Sequence, residues 1–142
     1  MGVDLVDTLV FRRRHESNSK SVLHLLGGPF VSQGGDRLEV PEGSKRLLVF
    51  VALHRGRIER RYAAGTLWPI GDDDRAAGNL RSALWRLNRA RVSLVVAGKH
   101  SLSLRDDVLI DIHVISDWAA RLIEGRPDER DLAVTPTGLA PL

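Results

Sequence analysis

Between Arg75 and Arg91 the chain carries five arginines and no acidic residue. The same stretch holds an apolar stripe through Ala77, Leu80, Leu84 and Leu87, a spacing that predicts a helix seated on a core. At about 100° per residue, Arg75, Gly78, Ser82, Trp85, Arg86 and Arg89 project from the opposite side. A helix that is apolar behind and arginine-rich in front suits the major groove of duplex DNA, where phosphates attract and base edges are read. A solvated basic face has the same pattern.

Other residues able to do chemistry are sparse. The chain has no cysteine, which excludes disulfides, thiolate metal sites and thiol catalysis and suits a reducing cytoplasm. His15, His24, His54, His100 and His113 are scattered and form no i, i+4 pair of the kind that metal-binding helices use. Asp72, Asp73 and Asp74 are consecutive, so their side chains diverge, and no further ligand spacing accompanies them; no metal site is expected. With no nucleophile motif, phosphate loop or organised acid–base pair, no catalytic residues are expected, and no cofactor is implied.

The 142 residues carry a net charge of +3 with a pI near 9.9, a length that suits one domain with a tail or two. The charge is unevenly placed. Residues 12–14, 55–61 and 75–91 are basic, whereas 72–74 and 124–131 are acidic, which favours an anionic partner on one face. No apolar run approaches the roughly 20 residues of a membrane span. Asp4 and Asp7 precede the first arginines, the reverse of a signal peptide. A cytoplasmic protein without membrane contact is expected.

The elements that must position the basic stretch follow from turn signals and periodicity. Residues 1–20 read as a variable arm, with 16–20 as a polar linker. Three short runs, 22–26, 29–31 and 38–40, are separated by Gly and Pro and read as a small antiparallel sheet. Ser44 is placed to cap a helix from Lys45 with Leu47, Leu48, Val51 and Ala52 inward, ending near Gly56. Arg60 to Leu67 reads as a second helix that buries Tyr62, Ala63 and Leu67. Pro69 biases Trp68 away from helical dihedrals and stops it. One of Asp72 to Asp74 is expected to cap the arginine helix, with negative charge at its positive dipole end. Residues 93–97 and 101–104 bracket a Gly-containing turn and predict a hairpin. Residues 108–110 read as a further strand, and 114–124 as a final amphipathic helix.

This order describes a winged helix-turn-helix. The segments Leu67-Trp68-Pro69-Ile70-Gly71-Asp72 and Ala76-Ala77-Gly78-Asn79-Leu80-Arg81-Ser82-Ala83-Leu84-Trp85-Arg86-Leu87-Asn88-Arg89 resemble the Streptomyces antibiotic regulatory protein (SARP) family, activators with an OmpR-type DNA-binding domain. The resemblance covers about residues 21 to 124. It implies an α+β fold: a winged helix-turn-helix with an N-terminal antiparallel sheet, a three-helix core and a C-terminal β-hairpin wing. Residues 1–20 are then an arm and 21–110 the winged helix. Residues 111–125 resemble the first helix of the family's transcriptional activation domain, whose remainder has no counterpart here, and 126–142 read as a flexible tail. A truncated or a naturally short relative is expected. Asn88 stands where the family commonly has arginine and Trp85 where a small polar residue is usual, so base preference need not follow that of the relatives.

By resemblance, residues 75–89 form the recognition helix, and Arg75, Asn79, Arg81, Ser82, Trp85, Arg86 and Arg89 are candidates for contact with double-stranded promoter DNA. Arg86 and Arg89 suit guanine or phosphate equally. Trp85 suits DNA or packing against a neighbouring subunit. Lys99 and His100, at the expected wing tip, suit a minor groove or a plain turn. Arg57, Arg60 and Arg61, near the start of the second helix, suit phosphate contact or a solvated basic surface. The turn with Trp68, Ile70, Asp72 and Asp73 is, by resemblance, a surface for RNA polymerase, and two protomers are implied on direct repeats. The function expected is sequence-specific transcriptional regulation, as an activator. The alternative is a winged-helix protein-interaction or regulatory module, including a competitor of full-length activators.

Overall fold

The computed structural model describes residues 5–17 and 21–125; the tail expected over 126–142 lies outside them. Strands β1 (Ser21–His24), β2 (Phe30–Gln33) and β3 (Asp36–Glu39) pair antiparallel, with Leu23 opposite Val31 and Val31 opposite Leu38. Gly34 and Gly35 link β2 to β3 at φ 57° and 90°, dihedrals that a two-residue hairpin turn asks of its central positions and that glycine meets without steric cost.

A fourth strand departs from the purely antiparallel sheet expected. Residues 108–110 form β7 (Val108–Ile110), which returns to pair in parallel with β1, so the order is β3-β2-β1-β7. The pairing sets Ile110 beside Leu23, and both belong to the main core.

A 3-10 turn (Glu42–Ser44) leads into α2 (Lys45–Leu53), which buries Leu47, Leu48, Val51 and Ala52. Ser44 does not cap this helix. Its backbone is already near-helical, and its buried hydroxyl instead donates to the Ala83 carbonyl at 2.7 Å, tying the start of α2 to the helix that follows. After β4 (Ile58–Glu59), a two-residue strand too short for any periodicity, comes α3 (Arg60–Leu67), with Ala63, Ala64 and Leu67 buried. Tyr62 is 57% exposed rather than buried. Its ring stands on the surface with Phe50 and His54, at 6.2 and 6.4 Å.

Helix α4 (Asp73–Arg89) is capped by Asp72, whose Oδ1 accepts from the Arg75 amide at 2.8 Å. Its buried residues are Ala76, Leu80, Ala83 and Leu87. The stripe anticipated through Ala77 and Leu84 is therefore rotated, and those two are only partly buried. Alanine at 76 and 83 leaves room for close approach, and the Ser44 bond to Ala83 marks where it occurs. Strands β5 (Val95–Ala97) and β6 (Ser101–Leu104) form the hairpin, and β4 pairs with β6 to complete a second sheet.

Residues 5–17, expected as an arm, form α1 (Leu5–Ser17) with Leu9 and Val10 buried. It packs against α5 (Asp111–Ile123), which lies on β1 and β7 and begins three residues earlier than its apolar pattern suggested. Successive strand residues face opposite ways. Leu23 faces the main core, so buried Val22 faces the α5 side, and the sheet is covered on both faces.

Asp111 locks the two halves together. Fully buried, its Oδ1 accepts from the amides of Leu25 (3.0 Å) and Ile112 (2.7 Å), and its Oδ2 from Leu26 (3.1 Å). Contacts thus cross the boundary expected at residue 110. The fold is mixed α+β, and no helix among the described residues is long and apolar enough to cross a membrane.

Candidate nucleic-acid interface

Taking the buried residues of α4 as one pole, Trp85 falls at the opposite pole, with Gly78, Arg81, Ser82 and Arg89 around it. Arg75, Arg81, Arg86 and Arg89 are all exposed, and none forms an ion pair among the described residues. Arg75, Asn79, Arg81, Ser82 and Trp85 line one open hollow with Gly78. These six residues are brought together.

Two arginines are held by specific neighbours. The stem of Arg75 lies over Gly71, which has φ 105° and where an added Cβ would come within 2.8 Å of Arg75 Cδ. Arg86 leans back toward the 3-10 turn, where a Cβ on Gly43 would lie 3.0 Å from its Nη1. It therefore flanks the outer face instead of standing on it. Arg89 reaches over the Trp85 indole, 5.2 Å from the ring centroid, a distance at which cation and ring attract.

The other basic candidates, close in sequence, have different surroundings: Arg60 and Arg61 line one cleft and Arg57 another. Arg60 is structural: its amide donates to the His100 carbonyl at 2.8 Å and its Nη1 to the Gly98 carbonyl at 3.0 Å, so the first residue of α3 anchors the hairpin tip. Arg61 faces Asp73 at 3.7 Å on an open surface, where such a pair contributes little to stability. Arg57 borders a separate cleft with His54, Arg105 and His113.

Lys99 and His100 stay exposed at the hairpin tip. They border a cleft of about 640 Å³ shared with Arg60, Arg61, Asp73 and Asp74. The aspartates therefore make this cleft mixed in charge, whereas the hollow around Trp85 is lined by no acid. Sequence order had separated these charges, and the α3–α4 packing brings them together.

In the turn between α3 and α4, Ile70 is 85% exposed and Trp68 packs on the core. Asp72 is engaged as a cap and Asp73 faces Arg61.

Two histidines away from α4 have lowered pKa values. For His24 the main cause is burial; Arg37 and Arg14 add to it, while Asp111 and Asp7 oppose it. Its ring stacks on Phe30 at 4.3 Å, Arg37 covers the other side of Phe30 at 3.9 Å, and His24 Nε2 contacts Ser32 Oγ at 2.9 Å. For His113 burial again dominates, followed by Arg55, against Asp117 and Asp111.

Among the described residues no group of three or more His, Cys, Asp or Glu is arranged to hold a metal. No family model, curated protein or solved structure matches this chain.

Proposed function

We propose that the chain is a sequence-specific DNA-binding transcriptional regulator of the SARP type, with an OmpR-type winged helix-turn-helix. In this reading α3 and α4 are the helix-turn-helix pair, α4 is the recognition helix and the β5–β6 hairpin is the wing. One observation carries it: α4 buries one face and presents Arg75, Arg81 and Arg89 outward with Arg86 at the flank, none of them ion-paired among the described residues, and the same helix borders the cleft of the hairpin tip bearing Lys99 and His100. Cations without carboxylate partners are available to displace counterions from DNA. The capped helix supplies a rigid body for the groove.

Arg75, Arg81 and Arg89 reach phosphates or base acceptors from the outer face, Asn79 and Ser82 supply hydrogen bonds, and Arg86 holds the backbone from the flank. Lys99 and His100 approach the neighbouring minor groove. Arg60 acts indirectly by fixing the hairpin. Ile70 and the turn around it form the surface offered to RNA polymerase, and two protomers occupy direct repeats.

Selection of bound duplexes from a random pool tests the reading. Enrichment of one motif supports it, whereas failure of any duplex to bind overturns it. The exposed rings of His54 and Tyr62, gathered beside the half-buried Phe50, favour a second reading, a protein-interaction module, because exposed aromatic groups are common at protein contacts. Salt-insensitive binding to a protein partner, with no affinity for DNA, would select it.

A further inference from the structure

We propose that the hollow on the outer face of α4 is a thymine-reading site, in which the Trp85 indole receives the 5-methyl group of the base. The inference rests on the DNA-binding reading above and adds the chemistry that is read.

Trp85 is 58% exposed at the pole of α4 farthest from the core, although burial is the usual fate of a large aromatic ring. Arg89, one turn on, steadies the indole from one side. Toward the start of the helix its outward neighbours are Arg81, Ser82 and Gly78; the last two are small, so the ring stands as one wall of a hollow with Arg81 at its border.

Gly78 keeps the hollow open on its side toward the start of the helix. Glycine inside a helix weakens it, and no close contact among the described residues requires glycine here. An added Cβ would meet only Arg81 Nη2, at an ordinary 3.7 Å. The small residue leaves room beside the indole for a group approaching from outside.

The charge around the hollow selects the visitor. Arg75 and Arg81 border it, Arg89 lies over the indole, and the acid nearest Trp85 on this face, Asp74, lies about three turns away. A second copy docked Trp85 to Trp85 would set these arginines against their own counterparts. A polyanion meets no such conflict. The apolar group that base pairs present in the major groove is the thymine methyl, and apolar side chains are its partners.

The test uses the 142-residue chain and a duplex it selects from a random pool. Each thymine is replaced in turn by deoxyuridine, which removes only the methyl group. At one position the wild type should bind about fourfold more weakly, the equivalent of one buried methyl at about 0.8 kcal/mol. Trp85→Ser should bind the thymine and uracil duplexes equally, Trp85→Phe should keep part of the preference, and Gly78→Leu should weaken the selected duplex while circular dichroism stays native. Equal wild-type affinity for all thymine and uracil duplexes, or a consensus of G·C pairs alone, overturns the proposal and leaves DNA binding intact. Binding to no duplex overturns both.

Discussion

Neutralising one exposed arginine should change the salt dependence of DNA binding by a calculable step. Arg75, Arg81, Arg86, Arg89 and Lys99 are exposed and free of ion pairs among the described residues. Arg61 is left out because it faces Asp73, and Arg60 because it is bonded to the hairpin. Five phosphate-neutralising cations, each contributing about 0.9, predict a slope of log K against log salt near −4.5, or about 500-fold lost between about 50 and 200 mM salt. Arg81→Gln should flatten the slope to about −3.6.

Fluorescence anisotropy with a labelled random-sequence duplex, at one fixed pH throughout, measures both. Arg81 is solvent-exposed, so the variant keeps the fold and the comparison is clean. A wild-type slope flatter than about −1 would refute the reasoning, because it leaves too few cations at the phosphates. An unchanged slope in Arg81→Gln would remove that residue from the footprint.

Three further outcomes follow from the same geometry. Asp111→Ala strands the amides of Leu25 and Leu26 and removes the acceptor at the start of α5; it should cost about 3–5 kcal/mol, read as a lower urea midpoint at unchanged m-value. Gly78→Ala should raise stability by up to about 1 kcal/mol, because the added methyl meets only Arg81 Nη2, at an ordinary 3.7 Å, and the helix gains propensity; a lower melting temperature would contradict it. His24 is held below its ordinary 6.5 by burial, so the unfolded chain takes up its proton first as pH falls. The stability linked to His24 is therefore complete above about pH 6.5 and is lost as pH drops through the lowered native value. His24→Gln should show a shallower loss over that window in urea melts, and an identical pH profile would contradict the assignment.

The parts of the fold legible in the chain were those whose pattern is local. Helix α3 and the hairpin stood out because Pro69, Gly98 and the apolar spacing lie within a few residues of what they control. The Asp72 cap was legible among three candidates for the same reason. Helix α1 was not, since the burial of Leu9 and Val10 belongs to a packing unit with α5, more than a hundred residues away. The role of Ser44 is not legible locally, because a hydroxyl suited to a cap is equally suited to a carbonyl across the core.

In α4 the helix itself was clear but its rotation was not. Leu80 and Leu87 belong to either stripe, and the closeness of the 3-10 turn favours the small Ala83 over Leu84. The grouping around Trp85 was legible from helical spacing alone, since it lies on one element. The scattering of Arg57, Arg60 and Arg61 was not, because it depends on where the hairpin and α4 meet the start of α3.

The parallel pairing of β1 with β7 also bears on how the polypeptide matures as it leaves the ribosome. Until β7 emerges, the flank of β1 offers open hydrogen-bonding groups, a template for unwanted pairing with other chains. The clasp that completes that region joins Leu25 to a carboxylate 86 residues downstream, a long-range closure of the kind associated with slow folding. Synthesis must run almost to the last described helix before that vulnerable border is sealed.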